Sequence, residues 1–421
     1  MSLHVALRRA VLAVAGLTAL ALSAEPGAAD WIEYHEFSGR VSVDGRWYPN
    51  SATFPDQRSH AGGFSFAPKL YLEDEEGRSV NLEGFLRLDG GDSHRTHADL
   101  REAYLLLFGE IGEDEWELRV GVDRVFWGVA ESRHLVDIVN QIDLVEHPNE
   151  EAKLGQPMVN ATLSGDWGVA EVFALPYHRL RTFPGRRGRL RTILVVDNDR
   201  ATYESDSDEW HLDFAARYSH SVGPFDFGVS VFDGTSREPT LQLGFDRDTT
   251  PILIPHYEQI RQFGLDAQMT ADALLLKLEA IRRTGARNAA LPVSMEEDYT
   301  AFVAGGEYTF YSVFDSGIDL GLLGEWNLDS RRERATNVFQ NDLFLGARLA
   351  FNDVESTDLI VGMLHDADFG TRSFNAEFNR RLSNEWSLHL EAVVFSNVDT
   401  MDLAYSTRRD SFIELNLTYN F

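Results

Sequence analysis

The residues best suited to catalysis are histidines that lie near serines and acidic residues. His94 follows Asp92 and Ser93, and His134 follows Ser132. Serine-type hydrolysis needs a nucleophile, a base and a group that orients the base, all held in one geometry. No spacing in this sequence assigns those three roles, so we expect no enzymatic activity and keep a hydrolase as an alternative.

Metal and cofactor chemistry is also weakly supported. The chain contains no cysteine, which removes thiolate metal ligands and disulfide bonds. His94 and His97 form at most half of a metal site, because no third ligand can be assigned. There is no glycine-rich phosphate-binding motif. We therefore expect neither a metal ion nor a cofactor.

A stronger pattern consists of charged residues that alternate with apolar ones between residues 79 and 123. Three arginines and four acidic residues are expected there on the same face of the strands. They are Arg87, Arg101 and Arg119, with Glu83, Asp99, Glu117 and Asp123. One interpretation is a basic track that guides anionic or polar solutes past acidic neighbours. The other is cross-strand charge pairing that keeps the side chains ordered. The sequence does not decide between them.

A second basic feature is a run of arginines within residues 179–191. Its members are Arg179, Arg181, Arg186, Arg187, Arg189 and Arg191. Such a run could capture anionic ligands or lipopolysaccharide phosphates. We favour instead pairing with the acidic stretch at residues 197–209, because opposite charges so close along one loop find each other readily.

The elements that must position these residues are β-strands with alternating apolar side chains. The C-terminal segment shows the alternation most clearly, with apolar Ile413, Leu415, Leu417, Tyr419 and Phe421. Successive side chains of a strand take opposite faces, so each segment has one apolar and one polar face. The pattern predicts 18 strands. Sixteen is the alternative, because residues 169–174 and 359–364 are apolar on both faces.

The connections between these segments alternate between short and long. Short turns at residues 109–113, 164–166 and 221–224 contrast with long connections at 127–156, 177–208 and 235–257. This alternation, with an even strand count, is typical of a transmembrane antiparallel β-barrel with short periplasmic turns and long extracellular loops. A sheet in lipid must close so that no backbone group is left unpaired. We therefore predict an all-β transmembrane barrel.

Composition and charge exclude other classes. The chain has a formal net charge of -29 over 421 residues. Strong acidity disfavours nucleic acid as a partner, because phosphate binding needs a basic surface. A charged fraction of 25% disfavours a bundle of membrane helices, which needs several long apolar runs.

The N-terminal segment is typical of an export signal. Arg8 and Arg9 precede an apolar stretch at residues 10–22, and small residues follow up to Ala29. We place cleavage before Asp30. The prediction is therefore a cleaved signal peptide at residues 1–29 and a single barrel domain at residues 30–421, with one anchoring helix as the alternative for the N-terminal segment.

The connection at residues 127–156 is the best candidate for a constriction in the lumen. Its apolar residues suit a segment packed inside the barrel, with polar residues then facing the lumen: Arg133, His134, Asp137, Asn140 and Asp143. An ordered extracellular cap is an equally good alternative, since long loops often cover the mouth of a barrel.

Two motifs resemble known families. A last strand that ends in aromatic-x-Phe, here Tyr419 and Phe421, resembles Gram-negative outer-membrane proteins. That resemblance implies that Phe421 belongs to the signal read by the barrel-assembly machinery. A strand ending in Trp127-Gly128, followed by Asp137-x-x-Asn140-x-x-Asp143-Leu144, resembles an uncharacterised family of porin-like proteobacterial barrels. This second resemblance implies a pore or conduit without naming its cargo.

These patterns together predict a passive porin of the Gram-negative outer membrane for small polar or amphipathic solutes. The alternatives are a component of an export or envelope-lipid transport assembly, with a periplasmic or inner-membrane partner, and an outer-membrane hydrolase. The expected surroundings are outer-membrane lipid and lipopolysaccharide. The acidity of the loops and the interior arginines oppose each other, so we predict no sign of ion selectivity.

Overall fold

The computed structural model describes residues 32–289 and 294–421, so the expected signal peptide lies outside the described residues. These residues form one closed ring of 18 strands and a small sheet of three strands. The ring consists of β1 Tyr34–Trp47, β2 His60–Glu73, β3 Ser79–Asp89, β4 His97–Ile111, β5 Asp114–Asp123, β6 Gln156–Gly165, β7 Gly168–Leu175, β9 Asp213–Val222, β10 Phe225–Thr235, β13 Gln259–Ala271, β14 Leu274–Thr284, β15 Tyr299–Phe310, β16 Asp319–Asp329, β17 Asn341–Ala350, β18 Asp358–Asp366, β19 Arg372–Arg381, β20 Trp386–Ser396 and β21 Phe412–Asn420.

Every neighbouring pair in the ring is antiparallel, and the last strand pairs with the first. Val41 of β1 lies opposite Tyr419 of β21, and Trp47 lies opposite Ile413. Beyond the last strand, the backbone N–H of Phe421 donates to the carbonyl of Gly39 at 3.1 Å. Closure satisfies the backbone groups that an open sheet edge would leave unpaired. The predicted 18 strands are confirmed, and the 16-strand alternative is wrong.

The small sheet was not predicted from the sequence pattern. Its strands are β8 Thr202–Tyr203, β11 Thr240–Phe245 and β12 Pro251–Tyr257, and β12 pairs with β8 in parallel. It joins the connections at residues 176–212 and 236–258, which the sequence indicated only as long loops. The described residues also form single-turn 3-10 helices at Asn198–Arg200, Asp208–Trp210, Val313–Asp315, Arg332–Arg334 and Leu403–Thr407. Within the described ranges, no helix has the length and apolar character needed to cross a membrane.

The two ends of the barrel differ. Tight connections such as residues 112–113 and 166–167 lie at the end where β1 begins and β21 finishes, named here the turn end. Long connections, including residues 124–155, 176–212 and 236–258, lie at the opposite end, named here the loop end. The predicted alternation of short and long connections is therefore present in the fold.

The outer face of the barrel is apolar and the inner face is polar. Ile413 and Leu415 are 45% and 48% exposed, whereas Glu414 between them is 7% exposed. Large aromatic side chains lie on the outer face near both ends of the strands: Tyr34, Phe37, Phe108, Phe225, Tyr308 and Trp386 at the turn end, and Trp47, Phe126, Phe214, Phe263 and Trp326 at the loop end. Apolar side chains on the outside can be buried only by an apolar surrounding.

One sector of the inner wall is apolar instead of polar. Phe173 of β7, Phe232 of β10 and Ile281 of β14 are each at most 2% exposed and belong to one hydrophobic cluster. Val136 and Val139, from the connection at residues 124–155, are fully buried in the same cluster. This packing explains why β7 has apolar side chains on both faces, which left its inward and outward faces ambiguous in the sequence. Val172 points outward, and Phe173 packs inward against the cluster.

Candidate functional site

The connection at residues 124–155, named here the inner loop, crosses the interior of the barrel. At one side, Arg101 of β4 contacts Asp143 of the inner loop, with Nη2 and Oδ2 2.5 Å apart. At the other side, Ser132 of the inner loop donates its hydroxyl to Oε2 of Glu325 in β16 at 2.6 Å. Strands β4 and β16 are nine positions apart in the ring of 18. A segment that contacts opposite inner walls must pass through the lumen.

Two buried glutamates of the wall hold the first half of the inner loop. Oε1 of Glu279 accepts backbone N–H groups from Val129 and Ala130 at 2.8 and 2.9 Å. The carboxylate of Glu325 accepts the backbone N–H groups of Glu131 and Ser132 at 2.8 and 2.7 Å. Both glutamates are at most 2% exposed. Because each carboxylate satisfies backbone donors that water cannot reach, the inner loop is fixed to the wall.

Asn140 joins the two arms of the inner loop. Its side-chain oxygen accepts the N–H of Val125 at 2.8 Å, and its amide donates to the carbonyls of Asp123 and Leu154, both at 2.9 Å. The side chain is 1% exposed. Asn140 therefore fixes the shape of the inner loop from within, which is a structural use of a residue predicted to face the lumen.

A cavity of about 70 Å³, named here the loop cavity, lies between the inner loop and the other long connections. It is lined by Arg133, His134, Leu135, Asp137, Ile138, Asn140, Ile142, Asn149, Glu150, Lys153, Arg181, Arg237, Glu238, Arg283 and Phe339. Four of the five predicted inner-loop residues thus lie at one cavity. The fifth, Asp143, is absent from this lining; it is fully buried against Arg101 and Thr182.

The predicted wall charges all lie on the inner side and are paired. Arg87 contacts Asp44 at 2.6 Å and Glu146 of the inner loop at 2.7 Å. Arg101 contacts Asp99 at 3.2 Å in addition to Asp143. These two arginines are buried, so they hold the inner loop and do not form an open track.

Arg119 differs from the two buried arginines. It contacts Glu117 at 2.6 Å and Asp123 at 3.2 Å, and its side chain is 34% exposed. Its guanidinium lies 5.7 Å from the ring centroid of Tyr104. Arg119 and Glu117 therefore present paired charges of both signs to the open part of the lumen.

The width of the interior changes along the barrel axis. The inward side chains of Arg40 and Lys69, in the halves of β1 and β2 nearer the turn end, are 59% and 42% exposed. Asp44 and Arg46, further along β1 toward the loop end, are 3% and 6% exposed. The turn end is therefore an open vestibule, and the loops narrow the interior at the loop end.

Ionisable groups of the loops are shifted by burial and by their partners. Burial favours the neutral form of His134, but the Glu279 carboxylate 3.9 Å away outweighs it and raises the pKa of His134. Burial raises the pKa of Asp137 against the opposing charge of Lys153. Burial also acts to raise the pKa of Glu238, but nearby Arg331, Arg283 and Arg181 outweigh it and lower that pKa to about 2.

The arginine run does not pair as the sequence analysis favoured. Arg179 contacts Asp99 of β4 at 2.7 Å, Arg181 contacts Glu150 at 3.3 Å, and Arg189 contacts Asp410 at 2.6 Å. None of these acids belongs to residues 197–209. The preference for pairing within one loop is wrong, because the connection meets acids of β4, of the inner loop and of the connection before β21.

A cluster that sequence reasoning missed combines His97 of β4 with Asp143 and Glu146 of the inner loop. His97 Nε2 lies 3.3 Å from Asp143 and 3.7 Å from Glu146. His, Asp and Glu are metal-ligating types, but Arg101 and Arg87 already neutralise the two carboxylates. The cluster therefore serves as an ionic contact between loop and wall. No local sequence signal could have found it, since 46 residues separate His97 from Asp143.

Ser132 and His134, one of the two groups considered for hydrolysis, do not form a nucleophile–base pair. The Ser132 hydroxyl donates to Glu325 and accepts from the Asn327 amide at 2.9 Å. His134 lies beside Glu279 and its ring packs against Phe126 at 4.8 Å. Ser132 and His134 are therefore bound to different strands of the wall.

Comparison with known proteins adds little. No protein-family model and no curated protein matches the chain. Solved structures that the chain resembles include two variants of the Rhodopseudomonas blastica porin, each with a TM-score of 0.42 over 92% of this chain and 100% of the porin chain, at 9% and 10% sequence identity. A TM-score of 0.42 is too low to assign a function to this chain. The barrel is established by the strand pairing within the chain itself.

Proposed function

We propose that the protein is a porin-type channel of the Gram-negative outer membrane, through which small polar or amphipathic solutes pass passively. The observation that carries the proposal is the inner loop, which crosses a closed barrel of 18 strands and narrows its polar interior. A barrel whose lumen is narrowed by a folded loop restricts passage by size and charge.

The outer face supports insertion in a membrane. Outward residues such as Val43, Phe64 and Leu88 are between 37% and 57% exposed, so a continuous apolar face has no cover among the described residues. Aromatic residues lie near both ends of the strands, where membrane-water interfaces would be. In this orientation, the turn end faces the periplasm and the loop end faces outward.

The interior supports passage of polar solutes. The vestibule at the turn end is lined by charged side chains such as Arg40, Lys69 and Arg119, which keep it hydrated. Beyond it, a solute meets the inner loop and the loop cavity. We propose that the narrowest part of the path lies between Arg133, His134 and Asp137 of the inner loop and the opposite wall.

Planar-bilayer recording tests the proposal. Purified, folded protein should give discrete conductance steps, and reversal potentials in a salt gradient should define its ion preference. Migration that changes on heating in detergent gels serves as the control for folding. Absence of conductance from well-folded protein would contradict a channel and favour the alternative of a partner-bound transport component.

A further inference from the structure

The loop cavity carries an excess of positive charge inside a strongly acidic protein. Five cationic side chains line it, and three carboxylates do so: Arg133, Lys153, Arg181, Arg237 and Arg283, against Asp137, Glu150 and Glu238. Each carboxylate has one cationic partner from the same lining. These pairs are Lys153–Asp137 at 3.2 Å, Arg181–Glu150 at 3.3 Å and Arg283–Glu238 at 3.6 Å.

Two arginines of the lining, Arg133 and Arg237, have no carboxylate partner within the lining. Arg237 contacts Asp213, which lies outside the lining, at 2.8 Å. Arg133 donates to the carbonyl of Phe339 at 3.4 Å, and within the described part of the chain it has no carboxylate within 4.0 Å. The positive charge of Arg133 is therefore available to an anion that enters the cavity.

Two guanidinium nitrogens around the cavity have no hydrogen-bond acceptor among the described residues. They are Nη2 of Arg237, a side chain that is 3% exposed overall, and Nε of Arg181, which is 9% exposed. A buried N–H group without an acceptor is costly, and a charged donor more so. Oδ2 of Asp137 and Oε1 of Glu238, in the same lining, also have no hydrogen-bond partner among the described residues. The two nitrogens are covered by neighbouring atoms, so the arginine side chains must shift slightly before an anionic oxygen in the cavity can accept charge-assisted hydrogen bonds from them.

The remaining lining indicates what the anion is attached to. Leu135, Ile138 and Ile142 line the cavity, and the guanidinium of Arg133 lies 5.2 Å from the ring centroid of Phe339. An apolar wall beside cationic side chains suits an organic molecule better than a hydrated inorganic ion. The volume of about 70 Å³ restricts the ligand to a small one.

We propose that the loop cavity binds a small organic carboxylate, with its charge at Arg133, Arg181 and Arg237 and its apolar part against Leu135 and Phe339. The proposal names the solute class of the proposed channel and rests on that function for its physiological meaning. The binding itself can be measured without any conductance.

Two probes with the same apolar body and opposite charge test the site: butyrate and butylammonium. Butyrate should bind the purified full chain in detergent by titration calorimetry and should reduce single-channel current, whereas butylammonium should do neither. Inorganic phosphate should bind more weakly than butyrate, because it has no apolar part. Equal binding of phosphate and butyrate would overturn the organic class, and equal binding of both organic probes would overturn the charge assignment.

Two arginine variants locate the site. Arg133→Gln should weaken butyrate binding by about tenfold or more, the loss expected for one charge-assisted contact. Arg282→Gln is the matched control, because Arg282 is adjacent to Arg283 but lies exposed on the outer side and contacts Asp298. Unchanged binding in Arg133→Gln would overturn the site. If the protein conducts but does not bind butyrate, the proposed channel is supported and the proposed carboxylate site is refuted. If it binds butyrate but does not conduct, the site is supported and the channel is refuted.

Discussion

The carboxylate of Glu279 accepts the backbone N–H of Ala130 at 2.9 Å, although 149 residues separate the two along the chain. Glu279 is fully buried. Its Oε1 also accepts the backbone N–H of Val129, and its Oε2 accepts the backbone N–H of Val136. We predict that Glu279→Gln releases the first half of the inner loop, because an amide replaces one acceptor oxygen with a donor. Single-channel conductance should rise, and stability should fall by about 2 kcal/mol, the scale of one hydrogen bond to a charged group.

Glu297→Gln provides the matched control for this substitution. Glu297 belongs to a loop outside the lumen and contacts Arg334 at 2.6 Å, with the arginine side chain 55% exposed. Its loss should change neither conductance nor the temperature of unfolding by much, since exposed ion pairs contribute little. Similar conductance in Glu279→Gln and wild type would show that the inner loop does not depend on this anchor.

A second prediction concerns pH. His147 of the inner loop lies 2.9 Å from Glu391 of β20. Burial opposes protonation of His147, but the hydrogen bond to Glu391 and its charge outweigh burial and raise the pKa of His147. The stability from this contact is fully present below the ordinary histidine pKa of about 6.5 and is lost as pH rises through the higher folded-state value. Conductance should therefore increase with pH as the inner loop loosens.

The pH profile in planar bilayers checks this expectation. His147→Gln should reduce the change of conductance between acidic and alkaline solution, because a neutral amide does not titrate. His134 has a raised pKa for a similar reason, so the double variant should be flatter still. A wild-type conductance that does not change across this range would refute histidine control of the inner loop.

The sequence was sufficient to predict the barrel but not to predict how the inner loop is arranged inside it. Alternation such as Ile413, Glu414 and Leu415 is a local signal, and it predicted the strand count and the face of most side chains, with residues 169–174 and 359–364 as the ambiguous segments. The contact of Glu279 with Val129 joins residues 150 positions apart and leaves no local pattern. Sequence reasoning therefore found the cavity residues Arg133 and His134 but could not show that the inner loop crosses the lumen.

The small sheet at the loop end was missed for a different reason. Strand β11 is only six residues long, and β12 begins with Pro251 and contains Pro255, which disfavours a strand in sequence reasoning. The partner β8 consists of two residues and pairs with β12 across another connection. Short strands whose pairing depends on tertiary contacts carry too little alternation to be predicted.

A third prediction concerns two carboxyl groups that lie opposite each other inside the barrel. Asp342 of β17 lies opposite Asp366 of β18, and the two residues are 1% and 2% exposed. Like charges directly opposite in a sheet are destabilising. Asp342→Asn should therefore raise stability by up to about 1 kcal/mol. The unfolding temperature in detergent, followed by gel migration or circular dichroism, measures the change.

The opposite substitution in the same pair is the control. Asp366 accepts the Gln340 amide at 2.6 Å and the backbone N–H of Asp368 at 2.7 Å, so it has more acceptor contacts to lose than Asp342. Asp366→Asn relieves the same repulsion but weakens those contacts, and it should not stabilise the protein. A gain in Asp366→Asn that equals the gain in Asp342→Asn would contradict this account of the pair.

The last prediction concerns the C-terminal Phe421, which we propose is read by the barrel-assembly machinery together with Tyr419. Its ring lies 5.7 Å from the ring of Phe37, and its backbone N–H bonds to Gly39 at the seam of the barrel. Phe421→Ala should reduce the amount of assembled protein in cells several-fold, whereas refolding of the purified chain in detergent should change little. Phe37→Ala is the matched control, because it removes the same ring contact and leaves the terminal residue intact. An equal defect of both variants in cells, with an equal loss of stability in detergent, would mean that Phe421 acts only by packing at the seam.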